Sequence, residues 1–328
     1  MNRVLVTGGA GFIGSHLIDR YLARGCEVVA LDDLSSGRES NLAQALPNPK
    51  FRLVIGDVRD DAVVGNLVRD TDLIFHMAAR VGLKLVVQSA VETLSANIDG
   101  AQTVLRQAVR YGRKIVVAST SEVYGLTTRF PSNEDDPITI GSPVKSRWSY
   151  ALSKAVDESA ALAHYREDGL QAVVVRLFNT VGPRQTSRYG MVIPRFVRQA
   201  LAGEPITIYG DGTQTRCFGH VSDILDGIMA LSEAPAAFGQ VINVGNPQET
   251  RILDLAQRIL ALTGSRSRLE FISYDEAYEA NFEEIYRRVP DIAKAHSLVG
   301  FAPRLGLADI LSAVVAEQSQ APPRLLTA

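Results

Sequence analysis

Residues 3–14 read RVLVTGGAGFIG, and this stretch decides the fold. A short β-branched run leads into four glycines, and an apolar-periodic segment comes next as a predicted helix over 12–24. Glycine permits a tight turn and lets a ligand approach the backbone, while a helix N-terminus directs N–H donors towards an anion. The stretch therefore predicts a strand, turn and helix that bind the pyrophosphate of a dinucleotide. The residues that we expect to bind it are Gly8, Gly11, Phe12, Ile13 and Gly14.

An acidic residue stands where this interpretation requires one. Asp32 closes the next predicted strand, 18 residues after Gly14, and its carboxylate can accept hydrogen bonds from the ribose of adenosine. The same negative charge would repel a 2′-phosphate, so NAD is favoured over NADP as the cofactor. The alternative is a glycine-rich turn with a capping aspartate in an ordinary α/β sheet. The agreement of strand, glycines, helix and acid in order and spacing favours the cofactor site.

The first half of the chain alternates short β-branched runs with longer amphipathic segments, which is typical of a doubly wound parallel sheet. After about residue 180 the pieces become shorter and are punctuated by Gly and Pro. We predict an α/β fold: a Rossmann-type NAD-binding domain over 1–180, to which later strands return, and a smaller α/β substrate-binding lobe over 181–328. Predicted strands lie at 3–7, 27–31, 51–55, 72–76, 114–119 and 171–177. Predicted helices lie at 12–24, 93–111, 149–168, 191–202, 222–232 and 252–263.

Composition narrows the class of protein. The 328 residues are 46% hydrophobic, which supplies a sizeable core and excludes disordered and collagen-like chains. With 34 basic and 36 acidic residues, no broad field favours nucleic acid or an anionic membrane. No apolar run approaches the roughly 20 residues of a spanning helix. Cys26 and Cys217 form no metal-spaced cluster, so we expect no metal site and a cytoplasmic protein.

A tyrosine and a lysine share one face of a predicted helix. Tyr150 and Lys154 are four residues apart, and a neighbouring ammonium favours the phenolate of a tyrosine. Such a pair can remove a proton from a sugar hydroxyl. A Tyr-x-x-x-Lys pair by itself is often only a solvated helix face. Residues 119–124, STSEVY, follow the fifth predicted strand, and ligands of open α/β sheets bind beyond the carboxyl ends of the strands. They therefore favour the catalytic interpretation of the Tyr–Lys pair.

Other strand ends supply further candidates. The hydroxyl of Thr120 could bond the reacting oxygen, although Thr120 and Ser121 could instead cap a helix or turn. Residues 56–58 (GDV) and 76–79 (HMAA) lie after two other strands and could be near the cofactor. Asp57, Val58 and Ala78 are the candidate contacts there, with packing or capping as the alternative for each.

Together these motifs resemble the NAD-dependent epimerase/dehydratase family, extended short-chain dehydrogenases/reductases that act on nucleotide sugars. The matching stretches span nearly the whole chain: TGGAGFIG, GDV, HMAA, STSEVYG, YALSK, LFNTVGPR, ITIYGDGTQTRCF and HVSD. The resemblance implies bound NAD, with Asp57 and Val58 near adenine and Lys154 also contacting the nicotinamide ribose. It implies a catalytic set of Thr120, Tyr150 and Lys154.

The resemblance also implies a nucleotide-sugar substrate, with a UDP-sugar first. Asn179 would contact its diphosphate, Arg216 and Arg288 would clamp the same group, and Tyr209 would lie along the nucleobase. Arg184 is the candidate for a sugar carboxylate, with Arg188 as an alternative and a loop-ordering ion pair as the competing role. Helices 93–111 and 149–168 would pair two subunits as a homodimer. A stripe on the first helix fits either that interface or the core: Leu94, Ile98, Ala101, Leu105 and Ala108.

The reaction depends on the step after oxidation at C4 of the sugar. Ser121 and Glu122 stand where the family's 4,6-dehydratases carry Asp-Glu, which disfavours dehydration. Thr-Ser-Glu and the RVPD of 288–291 resemble UDP-glucuronate decarboxylases, in which Glu122 would contribute to loss of CO2. Residues 182–196, GPRQTSRYGMVIPRF, resemble UDP-hexose and UDP-hexuronate 4-epimerases.

We predict a UDP-sugar 4-epimerase acting through a 4-keto intermediate. UDP-glucuronate and UDP-galacturonate are the first substrates, and UDP-glucose and UDP-galactose the second. UDP-glucuronate decarboxylase is the alternative, and a 4,6-dehydratase ranks below it. A non-catalytic NAD(P) sensor is disfavoured because the pair of Tyr150 and Lys154 is intact.

Overall fold

The computed structural model describes residues 2–187, 190–277 and 283–320, and its main feature is one central sheet of seven parallel strands. The strands are β1 (Arg3–Thr7), β2 (Glu27–Asp32), β3 (Phe51–Ile55), β4 (Leu73–His76), β5 (Lys114–Thr120), β6 (Ala172–Leu177), β7 (Thr180–Val181), β8 (Ile206–Tyr209), β9 (Thr215–Cys217), β10 (Gly219–His220), β11 (Gln240–Val244), β12 (Glu249–Arg251) and β13 (Leu269–Ile272). The central sheet runs in the order β11-β6-β5-β4-β1-β2-β3, and the remaining strands form three small two-stranded sheets.

Helices cover both faces of the sheet. The longest two in the described residues, α4 (Ala90–Tyr111) and α5 (Trp148–Asp168), lie side by side. The helices are α1 (Phe12–Ala23), α2 (Asp61–Arg69), α3 (Leu83–Gln88), α4 (Ala90–Tyr111), α5 (Trp148–Asp168), α6 (Val192–Ala202), α7 (Val221–Glu233), α8 (Ile252–Thr263), α9 (Tyr274–Ala277), α10 (Ala293–Val299) and α11 (Leu307–Gln320).

Alternation along the strands places a hydrophobic layer on each face of the sheet. In β1, Val4 and Val6 join the cluster that contains α1 and α7, whereas Leu5 joins the cluster that contains α2 and α4. Burial on both faces explains why these strands are nearly continuous apolar runs. The predicted doubly wound α/β fold is confirmed, and the six predicted strands agree with β1 to β6 within one residue at each end.

The strand order reverses beside β1, which has β2 on one side and β4 on the other. In open α/β sheets this is where a crevice forms outside the carboxyl ends of the strands. The turns after β1, β2, β4 and β5 therefore meet at one edge. These turns contain the glycine motif, Asp32, Ala78 and Thr120.

A second hydrophobic core lies in the chain after residue 180, between α6, α8 and α11. The segment of 221–244 does not join it, because α7 packs on the main sheet and β11 pairs with β6. No strand was predicted at 240–244. Its partner β6 lies more than 60 residues earlier, and no local pattern reveals so distant a parallel pairing.

The apolar stripe on α4 belongs largely to the core of a single chain. Ala101, Leu105 and Ala108 are all fully buried, and Leu105 and Ala108 pack in the layer under the sheet. The dimer alternative for these three residues is therefore wrong, since they have no surface left to offer a partner. Leu94 and Ile98 are only half-buried.

Candidate active site

The glycine turn between β1 and α1 packs without room for side chains. Gly8 has a φ of +68°, and a Cβ there would lie 2.7 Å from the backbone nitrogen of Ala78. A Cβ on Gly14 would lie 2.2 Å from the carbonyl oxygen of Gly8. Helix α1 begins after Gly11 with no side-chain cap and no acidic residue in its first turn. No side chain of that cap competes with an anion for the first N–H groups, so the turn fits a pyrophosphate.

Asp32 lies at the end of β2 beside this turn and is only 7% exposed. Its Oδ2 accepts from the backbone N–H of Ala10 at 2.9 Å, and its Oδ1 accepts from that of Leu34 at 2.8 Å. Burial raises the pKa of Asp32, and these two hydrogen bonds counteract that rise. Each oxygen retains a lone pair, so the carboxylate can also accept from ribose hydroxyls.

The other predicted cofactor contacts lie on neighbouring turns. Asp57 forms an ion pair with Arg59 at 2.6 Å, and the hydrogen bonds from Arg59 lower the pKa of the carboxyl group. Val58 packs so closely on α4 that a Cβ at Gly100 would lie 2.6 Å from its side chain. Both residues line the same cleft as Asp32 and Ala78.

This cleft has a volume of about 360 Å³ and extends from the glycine turn to Arg288. It brings together most of the residues that the sequence singled out, whereas Tyr209 and Arg216 do not line it. The predicted residues that do line it are Gly8, Gly11, Phe12, Ile13, Gly14, Asp32, Asp57, Val58, Ala78, Thr120, Ser121, Glu122, Tyr150, Lys154, Asn179, Arg184 and Arg288.

Tyr150 lies in the first turn of α5 and is 8% exposed. Burial raises the pKa of its phenol, the negative charge of Glu122 raises it further, and a hydrogen bond with the side chain of Thr120 lowers it. The hydroxyl of Thr120 also accepts from the backbone N–H of Glu122 at 3.2 Å. Thr120 thus has the capping role that the sequence offered as one alternative, and it also contacts Tyr150. The hydrogen bond to the reacting oxygen, the other alternative, stays a prediction.

Lys154 lies on the same face of α5, but its ammonium is engaged elsewhere. Its Nζ donates to Oδ2 of Asp157 at 3.0 Å, and both side chains are almost completely buried. Burial and the charges of Glu122 and Asp157 raise the pKa of Tyr150, so a lowering of that pKa by the Lys154 ammonium does not prevail here and stays a prediction. Asp157 was not singled out from the sequence because a carboxylate one turn away on a helix is usually part of an exposed face.

Glu122 lies between two arginines at the substrate end of the cleft. Its Oε1 is 3.5 Å from the guanidinium of Arg288, and its Oε2 is 3.7 Å from that of Arg147. The pKa of Arg288 falls to about 10, because burial disfavours the cation and because Arg216 and Arg147 add positive potential. The negative charges of Glu122 and Glu284 counteract this fall. A buried guanidinium is stabilised by a nearby anion, so this corner suits an anionic ligand.

Two of the predicted diphosphate contacts meet directly. The guanidinium of Arg288 donates to Oδ1 of Asn179 at 3.2 Å, and the amide of Asn179 donates to the carbonyl oxygen of Cys217 at 3.0 Å. Arg216 forms an ion pair with Glu284 at 2.7 Å. Asn179 and Arg288 therefore share one wall of the cleft, whereas Arg216 lies behind it.

Arg184 and Tyr209 have other partners in the structure. The guanidinium of Arg184 pairs with Asp19 of α1 at 2.6 Å, which is the loop-ordering ion pair that the sequence left open. The guanidinium of Arg195 stacks on the ring of Tyr209 at 3.9 Å. The carboxylate role of Arg184 is thus disfavoured, because its charge is already compensated. Arg188 lies outside the described residues.

Arg147 is the functional candidate that sequence reasoning missed. It is 3% exposed, precedes α5 by one residue, and its guanidinium stacks on the ring of Trp148 at 4.7 Å. It also donates to the backbone oxygen of Glu283, which ties the chain before Arg288 to the start of α5. The sole signal in the sequence was an arginine three residues before the tyrosine, a spacing that has no meaning without the fold.

Within residues 2–187, 190–277 and 283–320, no three His, Cys, Asp or Glu side chains group as metal ligands. No helix in these ranges combines the length and the apolar composition that crossing a bilayer requires.

Comparison with known proteins places this site in a family. The model of the NAD-dependent epimerase/dehydratase family matches residues 4–245. The chain belongs to this family. The resemblance that its motifs indicated is confirmed, and the glycine turn, Asp32 and Lys154 are the residues that would hold the family's cofactor, NAD.

Relatives of this epimerase/dehydratase family member include two decarboxylases. UDP-N-acetyl-alpha-D-glucosaminuronate decarboxylase of Bacillus cytotoxicus is 38% identical over 304 residues, covering 92% of this chain and 93% of the relative. UDP-glucuronic acid decarboxylase 1 of Danio rerio is 37% identical over 313 residues, covering 95% of this chain and 72% of the relative. Among solved structures, UDP-glucuronic acid 4-epimerase of Bacillus cereus, bound to UDP-glucuronic acid and NAD, matches with a TM-score of 0.87 at 28% identity, over 97% of this chain and 99% of that one.

Proposed function

We propose that this protein is an NAD-dependent decarboxylase of a UDP-hexuronate, either UDP-glucuronate or its 2-acetamido counterpart. The observation that carries the proposal is the placement of Glu122 between Arg288 and Arg147, beside Tyr150. Both decarboxylase relatives support this reaction over the 4-epimerase that we expected first. The 4-epimerase remains the second candidate because a UDP-glucuronic acid 4-epimerase shares the fold at a TM-score of 0.87.

The residues of the cleft fit the first step of this reaction. Tyr150 is the group that would remove the proton from the C4 hydroxyl, with Thr120 bonded to the same phenol. NAD, when bound, supplies the oxidising power by accepting a hydride from C4 and later returning it. The product of this step is a 4-keto hexuronate.

The second step, loss of CO2, is intrinsically easy and depends mainly on the charges around the carboxylate. A 4-keto hexuronate is a β-keto acid, so breaking the C5–C6 bond releases CO2 and leaves the electron pair as an enolate over C5, C4 and the keto oxygen. In this proposal Arg288, which lines the cleft, binds the sugar carboxylate rather than the diphosphate, and Arg147 adds positive potential from beyond the lining. Glu122 prevents a permanent ion pair that would hold the carboxylate in place. A proton then adds to C5, and reduction at C4 gives a UDP-pentose.

Product analysis tests this proposal. The protein with NAD is incubated in D2O with UDP-glucuronate and, separately, with UDP-N-acetylglucosaminuronate, and the products are monitored by proton NMR with CO2 measured in parallel. We expect CO2 in equal amount to a UDP-pentose that carries deuterium at C5. A hexuronate inverted at C4 without CO2 would reject the decarboxylase and establish the epimerase.

Adjacent arginines provide a matched pair of variants. Arg288→Ala should lower kcat/KM for the hexuronate about 100-fold, because hydrogen bonds to a charged ligand contribute about 1.5–3 kcal/mol. Arg287→Ala should change it less than about threefold, because Arg287 pairs with Glu249 at the surface. A larger loss with Arg287→Ala would mean that Arg287 contacts the substrate instead.

A further inference from the structure

Asp157, a buried carboxylate on α5, lies beside Lys154, the proposed catalytic partner of Tyr150. Lys154 donates from Nζ to Oδ2 of Asp157 at 3.0 Å, and the two side chains are 1% and 0% exposed. The other oxygen of Asp157, Oδ1, is buried and has no hydrogen-bond partner among the described residues. Lys154 lines the cleft and Asp157 does not. Asp157 can therefore act on the reaction only through Lys154 or through its charge.

Charges at this position are poorly screened. Two unit charges interact several times more strongly in a protein interior than in water, and salt does little to weaken a buried pair. The charged groups that act on the phenol of Tyr150 are Glu122 after β5, Arg288 in the same cleft, and Asp157 on α5 itself. Lys154, one turn along α5 from Tyr150, carries the opposite charge and pairs with Asp157. His76 at the end of β4 faces Lys154 and is uncharged at neutral pH, since its pKa falls to about 3.

We propose that Asp157 is a positioning residue that holds the Lys154 ammonium and offsets its charge, so that Tyr150 becomes an active base only at a higher pH than a Tyr–Lys pair alone would set. The ion pair at 3.0 Å directs Lys154 along α5 towards Asp157. The negative charge of Asp157 also acts directly on the phenol of Tyr150 and raises its pKa. Both effects move the acid limb of the pH–activity profile in the same direction.

The combined effect of burial and nearby charges keeps the phenol of Tyr150 protonated. Without Asp157, the positive charge of Lys154, one turn along α5 from Tyr150, would no longer be offset, and the phenolate would form at lower pH. With Asp157, the net charge of the two α5 neighbours is zero, and burial and Glu122 then dominate. The proposal rests on Tyr150 being the base, as in the proposed function, but not on whether the product is a pentose or an epimer.

Asp157→Asn removes the charge while keeping an acceptor for Lys154. The acid limb of kcat/KM should move down by about one pH unit, the size of shift that a nearby charge typically causes. Asp168→Asn is the matched control, since Asp168 also lies on α5 but is 41% exposed and bonds only His164 in the described structure. The acid limb of kcat/KM for Asp168→Asn should coincide with that of the unaltered protein.

The ionisation of Tyr150 can also be measured without turnover. Tyrosinate absorbs in the near ultraviolet, and subtracting the titration of Tyr150→Phe from that of the unaltered protein isolates one phenol among ten tyrosines. The same subtraction in the Asp157→Asn background should give a midpoint about one pH unit lower. Asp157→Ser serves as a second variant if the asparagine does not fold, and the same direction is expected.

An unchanged or higher midpoint, or an unmoved acid limb, would overturn the role of Asp157. That result is distinguishable from failure of the proposed function, because the titration needs no substrate and the limb can be measured on whichever product forms. If CO2 is released but the acid limb of the pH–activity profile does not move in Asp157→Asn, the role of Asp157 is rejected and the proposed function stands. If the product is an epimer and the acid limb does move, the decarboxylase is rejected and the role of Asp157 stands.

Discussion

Tyr150 is held as a neutral phenol by its surroundings. Burial raises its pKa most, and the charges of Glu122 and Asp157 raise it further, against the hydrogen bond with Thr120 and the charge of Arg288. Because a raised pKa leaves less phenolate at neutral pH, activity that depends on the phenolate rises as pH rises.

Removing the phenol hydroxyl tests the role of Tyr150. Tyr150→Phe should lower kcat about 10³-fold, within the usual contribution of a general base, while the affinity for NAD changes less than about fivefold. Turnover is measured by product formation and NAD binding by calorimetry. Unchanged turnover would remove Tyr150 from the reaction.

His76 makes stability depend on pH. It is buried, its Nδ1 bonds Oγ1 of Thr7 at 2.9 Å, and burial, with a smaller contribution from Lys154, lowers its pKa to about 3. The unfolded chain takes up a proton near pH 6.5 and the folded protein does not. The free energy of unfolding should therefore fall as pH drops from 6.5 towards 3, by up to about 1.4 kcal/mol per pH unit.

Urea denaturation at about pH 7.5 and about pH 5 checks this expectation. Between these values the unaltered protein should lose about 1–2 kcal/mol more of its unfolding free energy than His76→Asn does. Comparing the two proteins cancels the titration of the carboxylates. An equal loss in both would show that His76 is not the group responsible.

The first turn of α1 combines close packing with anion binding. Gly14 has an ordinary backbone conformation, but a Cβ there would lie 2.2 Å from the backbone oxygen of Gly8. Displacing the glycine turn would disturb both the end of β1 and the N–H groups that face a phosphate.

Gly14→Ala should lower the free energy of unfolding by about 1–3 kcal/mol, the usual cost of overpacking, and weaken NAD binding more than about tenfold. Gly169→Ala at the end of α5 is the control. Gly169 has a φ of +69° and nothing within 4 Å of an added Cβ, so that variant should lose about 1 kcal/mol and bind NAD normally. Normal NAD affinity in Gly14→Ala would place the pyrophosphate elsewhere.

A buried polar network joins the sheet to the segment that holds Arg288. Arg176 of β6 forms a bidentate pair with Glu158 of α5, at 2.9 and 2.8 Å, and stacks on Tyr124. Tyr124 donates to Asn243 of β11 at 2.7 Å, and Asn243 in turn donates to the backbone oxygen of Asp291 at 3.1 Å. These contacts tie Tyr124, two residues after Glu122, to Asp291, three residues after Arg288, through the core of the molecule.

The outer faces of α4 and α5 remain the predicted contact between two subunits. Val91 on α4 is 83% exposed, and Leu152 and Val156, one turn apart on α5, are 38% and 42% exposed. Apolar side chains clustered on one face are typical of a protein interface. We expect a homodimer through these residues.

The double variant Leu152→Glu, Val156→Glu should convert the dimer to a single chain, because burying two carboxylates in an apolar interface is costly. Light scattering gives the mass directly. Val144→Glu is the control, since Val144 is 85% exposed and lies outside both helices, and it should leave the mass unchanged. A monomeric mass for the unaltered protein would contradict the prediction.

Local sequence patterns were sufficient to predict the cofactor half of the site. Glycines, a β-branched run and an acid at the next strand end are fixed by short-range geometry, so residues 7–14 and Asp32 could be predicted as cofactor contacts from the sequence. The ionisation of Tyr150 could not be assigned in the same way. It depends on burial and on charges from β5, α5 and the Arg288 segment, which only folding brings within a few ångströms.

The sequence by itself determined the doubly wound sheet and the glycine turn after β1, because hydrophobic period and glycine stereochemistry act over a few residues. Tertiary structure decided that Arg147 lies against Glu122, that Arg184 pairs with Asp19, and that Lys154 bonds Asp157. Charge pairing depends on distance in space, and a chain of 328 residues offers each arginine many acidic partners. Packing selects among them.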